Sequence, residues 1–242
     1  MHIPSRTARA VRLLAVAALP LALAACGTSD SSSAEAPASP STAKDPNAGL
    51  LTGTQLKRAL APASFFPAGF ASDADSTRDT GDTYVAPVSK SPAKPDCTRL
   101  EGTAWIGITG VSGVSFAQGD YVSKNTSEEI SQEADAFRGT TAADVLKDVE
   151  KAATACASFA DPDIHSTVRT SGSATTGLGD EAYTLTLTDS SWTNGTTLIA
   201  ARQGTNLVTV LSTDGRDNGA ATARKLTRRI VTSLKTSAKT AS

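Results

Sequence analysis

The sequence predicts an α+β domain, an antiparallel meander sheet packed against helices on one face, from three observations. Beyond residue 160 the apolar period changes from 3.6 to 2, in four short Thr/Val/Leu-rich segments separated by glycine-containing turns. Two amphipathic stretches, Val145–Phe159 and Ala223–Leu234, bracket those segments. Alternating βα units are absent, which argues against the two α/β lobes of a transporter's solute receptor.

The amino terminus precedes this domain and reads as a tag. Arg6, Arg9 and Arg12 form a positive start, and an apolar run from Leu13 to Ala24 ends at Leu23-Ala24-Ala25-Cys26. The run is shorter than the ~20 residues of a membrane span. The order of charge, apolar run and small residues before a cysteine matches a bacterial lipoprotein signal over residues 1–25, with Cys26 as the lipidated residue. Two or three acyl chains hold stably where one holds only marginally. The expected location is therefore the outer, extracytoplasmic face of the cell membrane, with the membrane itself as a partner through Cys26. The whole chain has 242 residues, with 23 Lys+Arg and 24 Asp+Glu. Removing three arginines and no acid leaves the mature protein acidic, which gives a nucleic-acid partner no electrostatic support.

Residues 26–49 carry Ser, Ala and Pro and no large apolar side chain, so burial cannot repay ordering entropy and a disordered tether is expected. As a coil it reaches on the order of 25–30 Å. The folded domain is expected over 50–236, with a disordered tail over 237–242.

Within the domain, Leu50 to Leu60 reads as a short helix capped by Thr52 or Thr54 and stopped by Pro62. Phe65, Phe66 and Phe70 follow in a Pro/Gly-broken segment, an unusual concentration in a chain with 5% aromatics. They either pin a loop to the core or face a ligand. Residues 71–95, rich in Asp, Ser, Thr, Pro and Lys, read mostly as loop. Cys97–Ile108 suits either a short helix or a strand, and Phe116–Ser123 and Glu129–Phe137 suit antiparallel strands.

Thr141 and Asp144 have capping-box spacing. Behind them Val145, Val149, Ala152, Ala153, Cys156 and Phe159 form one helical stripe, which Asp161-Pro162 is expected to end. The strand segments are Ile164–Thr170, Ala182–Thr188, Thr196–Arg202 and Asn206–Thr213. Asn194-Gly195 is a strong turn signal because both residues tolerate positive φ. The last helix is expected from about Asn218 to Lys235, with Ala223, Leu226, Ile230 and Leu234 buried. Its Arg224, Lys225, Arg228, Arg229 and Lys235 form either a solvated face or a surface for anionic polymer, lipid head groups or a protein partner.

Cys97 and Cys156 remain once Cys26 is lipidated, and an exported domain with two cysteines most simply pairs them. The alternative, a catalytic thiol, would take His165 as its base, the single histidine left after the leader. With one histidine and no free cysteine the sequence predicts no transition-metal site and no cofactor. Gly-x-Ser-x-Gly, the phosphate loop and His-Glu-x-x-His are all missing. Asp180 or Glu181 could supply half of a paired-carboxylate site, with Asp161, Asp163 or Asp189 as candidates for the other half. Trp192, beside the Asn194-Gly195 turn, either folds back onto the sheet or meets a ligand, whereas Trp105 reads as core.

Several of these features together resemble actinobacterial exported lipoproteins. They are Cys97 and Cys156, a helix ending Ala153-Thr-Ala-Cys156-Ala157, the Gly177-Leu-Gly179-Asp-Glu-Ala182 turn into a strand, and a final amphipathic helix. The chain is similar over 50–236 to the extracellular sensor domain of a mycobacterial serine/threonine kinase, the kinase H-like sensor family. A second cysteine pair usual in that family is absent. The resemblance implies an α+β domain with a groove for a small ligand or envelope component, and no catalysis. Phe65, Phe66, Phe70 and Trp192 are the candidate ligand contacts. The competing expectations are a cell-envelope hydrolase using paired carboxylates, or a protein-interaction module working through the basic carboxy-terminal helix.

Overall fold

The computed structural model describes residues 44–90 and 94–240; the expected leader, Cys26 and most of the expected tether lie outside them. The strands are β1 (Phe70–Asp79), β2 (Ser115–Ser123), β3 (Glu129–Ala136), β4 (Ser158–Asp161), β5 (Ser166–Ala174), β6 (Glu181–Thr188), β7 (Thr196–Gln203) and β8 (Asn206–Ser212). The helices are α1 (Gly53–Ala59), α2 (Ile106–Thr109), α3 (Thr141–Ala155) and α4 (Ala220–Thr240). All eight strands join one antiparallel sheet in the order β1-β2-β3-β8-β7-β6-β5-β4. Two meanders, β1–β3 and β4–β8, are thus fused where β8 returns to pair with β3. The α+β class and the meander are as the sequence predicts.

Helices cover both faces of the sheet, not one. Alternate residues of β7 and β8 divide between two cores: Ile199, Ala201, Val208 and Val210 meet α1 and α4, whereas Leu198, Ala200, Leu207 and Leu211 meet α3. Every residue of β8 is buried. A strand covered on both sides reads as a nearly continuous apolar run, and Leu207–Leu211 reads so apart from Thr209.

The expected elements mostly form. Thr52 caps α1 in a capping box with Gln55. In α4 the side chains of Ala223, Leu226, Ile230 and Leu234 are all fully buried. That helix runs on to Thr240, past the boundary expected at 236. Ahead of α1 the domain also begins earlier than residue 50, for Arg138 Nε donates to Asn47 Oδ1 at 2.9 Å.

Four local expectations are corrected, and the choice left open at Cys97–Ile108 is decided. Residues 70–79 form edge strand β1, which pairs with β2 through its backbone and needs no apolar alternation of its own; its exposed Asp and Arg side chains suit an edge. Cys97–Glu101 is a 3-10 turn and α2 follows it, so this stretch is helical. The cap of α3 is Thr140, whose hydroxyl points to Asp144 at 3.5 Å and not to a backbone amide. The helix stops at Ala155, and Asp161-Pro162 instead closes the turn between β4 and β5, where His165 takes φ 52°. Finally, Asn194 and Gly195 do not have the positive φ expected of them. Gly195 is required by proximity: a Cβ there would lie 2.3 Å from the Leu187 carbonyl oxygen. Its amide donates to Asn218 Oδ1 at 2.8 Å, which ties the loop to the start of α4.

Candidate functional site

The α3 side of the sheet is incompletely covered where β1, β2 and β3 lie. Cross-strand pairing places Arg78, Gln118, Glu133 and Thr209 in one transverse row on that face, with Phe116 and Asp135 as a pair in the adjacent row. The segment from Gly102 to Gly113, which includes α2, crosses above. Two hydrogen bonds hold it down. Thr103 Oγ1 donates to Glu133 Oε2 at 2.6 Å, and Trp105 Nε1 donates to Thr209 Oγ1 at 2.6 Å.

Between segment and sheet lies a cavity of about 250 Å³. Its walls are Trp105, Ile106, Val111, Phe116, Phe137 and Val85, and its polar groups include Arg78, Glu133 and Asp135. The mouth is apolar too, since Val85 and Ile106 are 42% and 43% exposed. Val85 is fixed there by its amide, which donates to the Val114 carbonyl at 2.7 Å. Gly113 lets the segment approach β3, because a Cβ on it would come within 2.9 Å of the Ala136 carbonyl oxygen and 3.2 Å of the Asp135 Cβ.

The electrostatics of the floor are unusual. Glu133 and Asp135 are two residues apart on one strand face and within hydrogen-bonding reach. Burial raises the Asp135 carboxyl well above its ordinary range, and the charge of Glu133 and the hydrogen bond between them add to this. Asp135 is partly exposed and lines the cavity. Burial also raises Glu133, opposed by the Thr103 hydrogen bond and the Arg78 charge. Both carboxyls are therefore raised above those of exposed acids. Such a pair offers both a donor and an acceptor to a molecule in an apolar enclosure.

The aromatics named from the sequence are split between the two faces and share no groove. Phe66 is core: its ring stacks on Tyr121 with centroids 3.5 Å apart. Phe70 is partly buried against the same core. Phe65 is half-buried, edge-on to Phe66, and lines an open depression beside α4. Trp192 packs on the opposite core and borders a second, more polar cavity with Glu101, Glu128 and Glu129. Trp105 is core as expected, yet it also walls the apolar cavity.

Cys97 and Cys156 form a disulfide, with Cα atoms 5.5 Å apart, joining the 3-10 turn to the end of α3. His165 is exposed. Asp180 and Glu181 both engage Arg202, at 3.2 and 3.1 Å, so each is part of a surface ion-pair cluster. Among the described residues no group of three or more potential ligands could hold a metal ion. No helix among them is long and apolar enough to cross a membrane.

Glu133, Asp135, Thr103 and Arg78 do not stand out in the sequence. The alternation of Ser131, Glu133 and Asp135 with Ile130, Gln132 and Ala134 is legible, but it reads as an ordinary solvent face. Comparison with protein-family models and with curated proteins finds no match for the chain.

Proposed function

We propose that the protein is a lipid-anchored, extracytoplasmic ligand-binding domain of the sensor-like kind, without catalysis. Its ligand is a small, mostly apolar molecule carrying one hydrogen-bonding head, a hydroxyl or amine, that meets Glu133 and Asp135. The apolar cavity floored by this carboxyl pair is the observation that carries the reading, because a few convergent polar groups in an apolar enclosure are what a small-molecule site needs. The signal features ending at Cys26 support the anchoring. Hydrolysis by paired carboxylates is less well supported, since Asp180 and Glu181 are occupied by Arg202 and Glu133 with Asp135 lie side by side on one strand, not across a cleft.

A thermal-shift screen of short-chain alcohols and amines on the mature protein tests the cavity, because a ligand that binds the native state raises the melting temperature. Ala104 borders the cavity, and Ala104→Phe should abolish any shift. A shift that survives this substitution, or no shift with any compound, would overturn the assignment. Mass spectrometry of the membrane fraction tests the anchor: a diacylglyceryl adduct on Cys26 is expected, and its absence would remove the lipoprotein reading.

A further inference from the structure

We propose that the face built by α1 and α4 docks on anionic lipid head groups. The sequences of these two helices contain no acidic residue, and Lys57, Arg58, Arg224, Lys225, Arg228, Arg229 and Lys235 are all exposed on them. Among the described residues, Arg58, Arg228, Arg229 and Lys235 have no carboxylate within ion-pairing distance. Lys57 is paired with Asp79, Arg224 donates to the Thr176 carbonyl, and Lys225 lies over the Phe65 ring.

Five of these cations border two adjoining hollows. Arg229 borders two neighbouring depressions, one with Lys57, Arg58 and Pro62, the other with Phe65, Lys225 and Arg228. Each is an open surface hollow, of about 390 Å³. The chain as a whole carries -1, so this face is a local excess that acids elsewhere offset. Glu133 and Asp135 line the cavity on the opposite side of the sheet, whereas Asp79 and Asp82 beside α1 and Asp214 and Asp217 at the start of α4 border the basic face. A surface polarised in this way turns one face toward an anionic plane and the other away from it.

The choice of a lipid surface rests on the anchoring reading, and the position of the chain agrees with it. The segment leading back to Cys26 joins the domain at Asn47, held by Arg138, a few residues ahead of α1, the helix that carries Lys57 and Arg58. Even fully extended, the residues between Cys26 and Lys44 span no more than about 65 Å, so on the anchoring reading weak contacts to head groups are made at high local concentration. Because the sheet separates α1 and α4 from the apolar cavity, docking would leave the cavity mouth facing away from the membrane.

The test is co-sedimentation of the chain from residue 26 onward, carrying Cys26→Ser so that no acyl chain contributes. Two vesicle types are compared, phosphatidylglycerol mixed with phosphatidylcholine, and pure phosphatidylcholine. Partitioning only to the anionic vesicles, weakened by added salt, is expected. Each cation near such a surface is worth roughly a fivefold gain, so Arg58→Gln, Arg228→Gln and Arg229→Gln together should lower partitioning by about 100-fold. Removing Lys147, Lys151 and Arg169 by the same change should leave it unaltered. Equal partitioning of both triple variants, or no preference for the anionic vesicles, would overturn the proposal. So would a soluble polyphosphate that binds the protein more tightly than the vesicles do. Unchanged melting temperatures confirm that the exposed substitutions leave the fold intact. Because the chain is unlipidated, a failed anchor assignment and a failed docking face give separate results.

Discussion

Thr103 donates a 2.6 Å hydrogen bond to Oε2 of Glu133, and this contact closes the Gly102–Gly113 segment onto the sheet. Both residues are buried, at 4% and 5% exposure, so neither can exchange its partner for bulk water. Thr103→Val keeps the shape and deletes the donor. A buried acceptor left unsatisfied costs about 1–3 kcal/mol, and denaturant unfolding should show a loss of that size. A loss under a few tenths would mean that the segment is held by Trp105 alone.

Stability should fall as the pH rises from about 4.5 toward 7, the reverse of the common trend below neutrality. Burial, with Asp161 and Asp163 adding their charge, pushes Glu101 up to about 7 from the ordinary 4.5. Glu133 and Asp135 are raised as well. In that window the folded state binds more protons than the unfolded chain, so the stabilisation is complete below the unfolded value and disappears once the folded value is passed. At the acid end, hydrogen bonds hold Asp79, Asp96 and Asp189 below 3.8, with Lys57, Thr98 and Ser166 as their leading partners. Their contribution is lost as the pH drops through the folded values. Unfolding midpoints should therefore peak in mildly acidic buffer, and Glu101→Gln should flatten the decline toward neutrality.

The disulfide cross-links positions 59 residues apart. In the chain-entropy view a loop of that length stabilises by about 4 kcal/mol. Cys156 is fully buried and anchors the core beneath α3. Reduction, or Cys97→Ser with Cys156→Ala, should lower the denaturation midpoint accordingly, and free-thiol titration of the unreduced protein should detect neither sulfur.

Phe66 and Phe65 are neighbours with different consequences. Phe66→Ala empties a stacked site against Tyr121 and should cost about 3–5 kcal/mol. Phe65, half-buried at the edge of the basic face, should cost clearly less when truncated. Equal losses in equilibrium unfolding would show that the open depression beside Phe65 is packed in solution.

The helix stripes were the most legible part of the fold. Val145, Val149, Ala152 and Ala153 are buried as their spacing predicts, and so are Ala223, Leu226, Ile230 and Leu234. Period and burial coincide there because each helix packs one face on a sheet. Strand β1 was illegible for the opposite reason, since an edge strand is held by backbone pairing with β2 and its side chains carry little of the signal. The Asn194-Gly195 turn shows that a residue pair can mark a connection while its conformation is decided by Asn218, distant in sequence.

The sequence by itself determined the pairing of Cys97 with Cys156, the α+β class and the faces of the two long helices. Each depends on composition or on contacts with a short repeat along the chain. The cavity was decided by tertiary structure alone. Glu133 and Asp135 occupy alternate positions that in an uncovered sheet would face water. Their carboxyls are raised together because Thr103 and Trp105, on a separate segment, roof that side of β3 and take it out of solvent.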